Sequence, residues 1–127
     1  MRMRLYLMRH GKAEEAGSGQ SDADRALTEE GRDEVVKVAR RLWEARVRCN
    51  LVLTSPLVRA RETAELVQTQ WGGVRLEEAV ELAPGGDLTA WLPWLSRWCG
   101  NEGGDLLLVG HAPGLGDWAD TLVWGRA

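Results

Sequence analysis

Short apolar runs at residues 4–8, 51–54, 74–76 and 106–109 divide the sequence, the third weaker than the rest. Each is near-continuous rather than alternating, the pattern of strands buried on both faces. Between them, apolar positions repeat at helical spacing. Val35, Val38, Ala39 and Leu42 do so after Thr28, whose hydroxyl suits an N-cap, and Ala60, Ala64 and Val67 do so after Ser55 and Pro56. Trp91, Trp94, Leu95 and Trp98 mark a third helical face; Leu115, Trp118, Ala119 and Leu122 mark a fourth, which opens after Pro113. Residues 14–24 and 100–104 are polar and glycine-containing and read as surface loops.

Alternating strands and helices predict an α/β fold. Parallel neighbours need long crossovers, and right-handed crossovers place helices on both faces, so a three-layer α/β/α arrangement around a mainly parallel sheet is expected. At 127 residues there is room for one domain, residues 1–127, with a single core.

Composition narrows the partners. A formal net charge of −3 leaves no general footprint for nucleic acid or a membrane surface. The apolar run before Arg9 is too short for a signal peptide or a membrane span. Cys49 and Cys99 form neither a disulfide framework nor a zinc-ligand spacing, so reduced thiols and a cytoplasmic setting are the default.

The chemistry gathers where strands end. The chain has two histidines, and each directly follows an apolar run: Arg9, His10, Gly11 after the first, and Gly110, His111, Ala112, Pro113 after the last. Ligands of open parallel sheets bind beyond the carboxyl ends of the strands, so the two imidazoles can converge on one ligand. The second run delivers Thr54, Ser55 and Pro56 to the same edge. Arg59 follows near a helix N-terminus, where it can share an anion with the helix. Burying Arg9 and Arg59 there would be unfavourable without a compensating anion, which points to a phosphate-sized ligand. Arg61 falls on another helix face and reads as solvated.

Three segments carry a family likeness: Leu7, Met8, Arg9, His10, Gly11; then Leu53, Thr54, Ser55, Pro56 with Arg59, Ala60 and Thr63; then Val109, Gly110, His111. In this order and spacing they resemble the histidine phosphatase superfamily, which includes the phosphoglycerate mutases. Within it the sequence looks most like the short bacterial phosphohistidine phosphatases. The stretches Arg25, Ala26, Leu27, Thr28, Gly31 and Glu81, Leu82, Ala83, Pro84, Gly86, Asp87 extend the resemblance over most of the chain.

The resemblance implies a phosphoglycerate mutase-like fold and a phosphatase needing neither metal nor other cofactor. His10 would attack phosphorus and form a phosphohistidine intermediate, while Arg9, Arg59 and His111 bind the phosphoryl oxygens. Arg25 and Ser55 are further candidate substrate contacts. Glu81 is the candidate general acid for an ester leaving group, with a solvated loop carboxylate as the competing reading. If the substrate is a phosphoramidate such as phosphohistidine, imidazole is the leaving group and a strong acid matters less.

The stretch between Arg59 and His111 is mostly taken up by helices and a strand, leaving little material for a lid. An open pocket suits a phosphorylated side chain on a protein, a histidine-containing phosphotransfer domain among the candidates. Small phosphate esters rank second, and a phosphate-binding module without turnover is the alternative outside enzymes. Relatives run on into a final strand after the last helix, whereas this sequence stops at Ala127, so a shortened C-terminal sheet edge is expected. Trp118 and Trp124 then mark a candidate self-association patch, with a monomer as the default and a dimer as the alternative.

Overall fold

The computed structural model describes residues 3–101 and 103–118. Ala119, Leu122, Trp124 and the expected shortened edge lie outside the described residues. The described strands are β1 (Leu5–Arg9), β2 (Leu51–Thr54), β3 (Leu76–Glu78) and β4 (Leu106–Gly110). The helices are α1 (Glu29–Glu44), α2 (Val58–Gln70) and α3 (Leu88–Gly100); residues 114–118 are also helical, and short 3₁₀ turns span Asp22–Asp24 and Val80–Leu82. All pairings between the described strands are parallel, in the order β1-β4-β2-β3. The expected α/β class and parallel sheet are therefore present.

Local chemistry explains most boundaries. The Thr28 hydroxyl accepts from the Gly31 N–H at 2.8 Å, the anticipated N-cap, with Glu29 and Glu30 in the first turn and Arg41 in the last favouring the helix dipole. Asp87 caps α3 by accepting from the Thr89 N–H at 2.9 Å. β3 begins two residues later than the apolar run suggests. Its register is chosen by β2, with Val52 opposite Leu76 and Thr54 opposite Glu78, and the sheet edge tolerates the two glutamates.

The two central strands, apolar on nearly every residue, still alternate between two cores. Leu51, Leu53, Leu106 and Leu108 face α3 and pack with Trp91, Trp98, Leu115 and Trp118. Val52, Leu107 and Val109 face the opposite layer, with Val35 and Ala39 of α1 and Ala60, Ala64 and Val67 of α2. Each such leucine or valine contributes about 1.5–3 kcal/mol by leaving water. Two expectations need correction. Val38 is exposed, because the buried stripe of α1 is narrower than its apolar spacing suggests. Trp118 is only 5% exposed and packs 5.3 Å from Trp91, so it is core rather than a self-association patch.

Candidate active site

The strand order creates the site. β4 lies between β1 and β2, and the register sets Arg9 opposite Gly110 and Thr54 opposite Val109. The next residue on each strand is therefore His10, His111 or Ser55, one step past three adjacent carboxyl ends. The ladder extends to them: the His10 N–H donates to the Gly110 carbonyl and the Ser55 N–H to the Val109 carbonyl, each at 3.0 Å. The two imidazole rings lie 4.9 Å apart, centre to centre.

Both ends of His10 agree on its tautomer. Nδ1 is 2.6 Å from the Gly11 carbonyl, which can only accept, so Nδ1 carries the proton and Nε2 keeps a lone pair. The Arg59 Nε–H points at that lone pair from 3.4 Å. Gly11 is held in turn: its N–H donates to the Thr63 hydroxyl at 3.0 Å, and Thr63 donates to the Arg59 carbonyl at 2.8 Å. A Cβ on Gly11 would come within 2.7 Å of Val35, so close packing on α1 requires glycine there. Burial, followed by the neighbouring Arg59, Arg9 and Arg25 charges, holds the His10 pKa below its usual value, against the opposing pull of the Gly11 carbonyl.

His111 is 6% exposed and its pKa falls to about 4, chiefly through burial and then through His10 and Arg59. Its Nε2 lies 2.8 Å from the Ser55 hydroxyl, which already accepts from the Leu57 N–H. When the serine proton points at Nε2, the proton of His111 sits on Nδ1. That buried Nδ1 has no partner among the described residues, a state that costs free energy unless a ligand oxygen accepts from it.

Arg59, second residue of α2, is 4% exposed. Asp22 matches its charge: Nη2 donates to the Asp22 carboxylate at 3.1 Å and Nη1 to the Asp22 carbonyl at 2.9 Å. Arg9 is exposed at the rim, which corrects the expectation of two buried guanidiniums; only Arg59 is buried. Arg25 lies beside it, donating from Nε to Asp22 at 2.9 Å. Together Arg9, His10, Lys12, Asp22, Arg25, Arg59 and His111 line an open cavity of about 650 Å³, closed on one side by Pro84.

Two expected positions fall elsewhere. Ser55 is fully buried beneath His111 and does not line the cavity, so the structure gives it a supporting place rather than a substrate contact. Glu81 sits in the 3₁₀ turn Val80–Leu82 and lines neighbouring cavities with Leu82 and with Trp91, not the one holding His10. Arg61 is half-exposed and pairs with Glu78, as a solvated arginine would. Sequence reading missed Asp22 and Lys12. Lys12 directly follows the Arg9, His10, Gly11 triplet. Asp22 carries a faint signal as an acid three residues before Arg25, but Asp24 in the same loop was equally eligible.

A parallel α/β sheet presenting two imidazoles and clustered guanidiniums at its carboxyl edge has the chemistry to hold a tetrahedral oxyanion beside a ring nitrogen that carries a lone pair. The histidine phosphatase superfamily (branch 1) model matches residues 5–83, and the chain belongs to that superfamily. An uncharacterized protein of Picosynechococcus sp. is 41% identical over 124 residues, spanning 98% of this chain and 75% of that protein. The phosphohistidine phosphatase SixA of Escherichia coli is 36% identical over 119 residues, 90% of this chain and 70% of SixA. A solved structure of the protein histidine phosphatase SixA complexed with tungstate superposes with a TM-score of 0.84 at 31% identity, covering 93% of this chain and 75% of that one.

Proposed function

We propose that this chain is a phosphatase that removes the phosphoryl group from phosphohistidine on proteins in the cytoplasm, through a covalent intermediate on His10. The observation that carries it is the His10 Nε2 lone pair, fixed by the Gly11 carbonyl and facing Arg59 with His111 alongside. In the first step Nε2 bonds to phosphorus as the bond from phosphorus to the substrate imidazole breaks, and the departing nitrogen takes a proton from solvent, which the open cavity admits. In the second, water attacks phosphorus and gives its proton to solvent; the bond to Nε2 breaks, and inorganic phosphate and neutral His10 result. Arg59, the rim arginine Arg9 and the His111 Nδ1–H would hold the equatorial oxygens, where charge accumulates.

Two observations support phosphohistidine over ordinary esters. Among the described residues lining the cavity, Asp22 is the one carboxylate, and Arg59 and then Arg25 hold its pKa below the usual range, so it is a poor proton donor near neutrality. An imidazole leaves without strong acid assistance, unlike an alkoxide. The cavity is also open enough to receive a side chain presented by another protein. The similarity to SixA agrees with this substrate class.

The deciding experiment compares the wild-type chain with His10→Ala on a phosphohistidine protein and on p-nitrophenyl phosphate, and traps the phosphoenzyme. Turnover should fall at least about a thousandfold, as expected for loss of a covalent nucleophile, and the acid-labile label should vanish. Equal rates in the two proteins would sink the proposal.

A further inference from the structure

The geometry points to Asp22 as the residue that positions Arg59 for phosphoryl transfer. It grips one edge of the guanidinium through both its carboxylate and its carbonyl while the Nε–H edge faces His10. The inference rests on the phosphatase reading and adds to it a residue in a loop that sequence analysis read as plain surface.

A guanidinium offers two edges for paired hydrogen bonds. In Arg59 the edge formed by Nη1 and Nη2 is engaged by Asp22, and Nε points toward the His10 lone pair at 3.4 Å. The second Nη2 proton and the Nε proton therefore remain for two oxygens of a phosphoryl group centred in front of Nε2. Without Asp22 the buried guanidinium would lose its paired anion and could turn either edge toward the cavity. The same carboxylate takes the Arg25 Nε–H through its other oxygen, so a single side chain aligns two cations.

The loop carrying Asp22 is built to hold it. Its ends are joined by the Ala13–Leu27 bridge and by the Glu14 N–H donating to the Ala26 carbonyl at 2.8 Å. Arg25 Nη1 donates across the loop to the Glu14 carbonyl at 3.1 Å, and the Leu27 N–H donates to Glu62 on α2 at 2.8 Å. The 3₁₀ turn Asp22–Asp24 is thereby anchored over the start of α2, where Arg59 emerges.

The test is a double-mutant cycle combining Asp22→Ala and Asp22→Asn with Arg59→Ala. It is read by tungstate affinity in calorimetry and by kcat/KM on p-nitrophenyl and phenyl phosphate. With Arg59 present, Asp22→Ala should weaken tungstate about tenfold and lower kcat/KM about thirtyfold, with Asp22→Asn in between. With Arg59→Ala, removing Asp22 should change either quantity far less than it does with Arg59 present, since only its hold on Arg25 is left to lose, and this non-additivity is the signature of a residue acting through its partner. The loss should be equal for both esters. Additive effects, tighter tungstate binding on losing Asp22, or a loss much larger for phenyl phosphate, which would mark a proton donor, would each overturn the assignment. The near-isosteric Asp22→Asn keeps the cycle readable should the alanine variant unfold. If tungstate binds but no phosphoenzyme forms, the phosphatase reading fails, while the coupling of Asp22 to Arg59 is still judged from anion affinity alone.

Discussion

His111 shows how much one buried side chain can impose. Its pKa of about 4 in the folded chain lies below the 6.5 of a free histidine, so between those values the unfolded state binds a proton that the folded state refuses. Its contribution to stability is therefore unchanged above pH 6.5 and declines as pH falls toward 4. At pH 5 the penalty is about 2 kcal/mol. Denaturant titrations at pH 7 and pH 5 should show the wild-type chain losing that amount beyond what His111→Asn loses. Equal losses would mean that His111 is not held neutral. The presence of two histidines, each behind an apolar run, was visible in the sequence, as were Arg9 and Arg59. Their partners were not. Asp22 reaches Arg59 only because a loop folds back over α2, and Ser55 faces His111 only because β2 and β4 are neighbours.

At the scale of elements, the contact between the loop after β1 and the first turn of α1 is unusually close. A Cβ on Gly31 would overlap the Lys12 carbonyl, which also accepts from the Thr28 N–H at 2.9 Å. Gly31→Ala must push α1 away from the segment that carries His10, and overpacking of this kind costs about 1–3 kcal/mol. The variant should lower thermal stability and also reduce phosphatase activity by displacing His10. A variant equally stable and equally active would show that this contact does not set the position of α1. Helix identities were legible because caps and apolar spacing are local, as Thr28 shows. The placement of β3 was not, since an edge strand takes its register from its neighbour and Glu77 and Glu78 carry no strand signal of their own.

For the whole molecule, the site is a seam between the halves of the chain. His10 comes with β1, Asp22 and Arg25 with the loop before α1, Arg59 with α2, and His111 with β4. An oxyanion bound across these segments stabilises the folded state by mass action, about 2.7 kcal/mol at a free concentration of one hundred times Kd. Tungstate at that level should raise the melting temperature by about ten degrees for a chain of this size. Arg59→Ala should remove most of the rise. A full rise in that variant would place the anion elsewhere.

The amino-acid sequence alone determined the alternation of strands and helices, the parallel sheet and the candidate nucleophile, because burial pattern, helix capping and residues at strand ends are written in neighbouring positions. Tertiary structure decided which groups meet. Inserting β4 between β1 and β2 sets the imidazoles side by side, and the fold of the loop brings a carboxylate to Arg59 while leaving Glu81 outside the cavity. The reason is physical: strand order and loop docking depend on free energies summed over segments distant in sequence, and no local pattern records that sum.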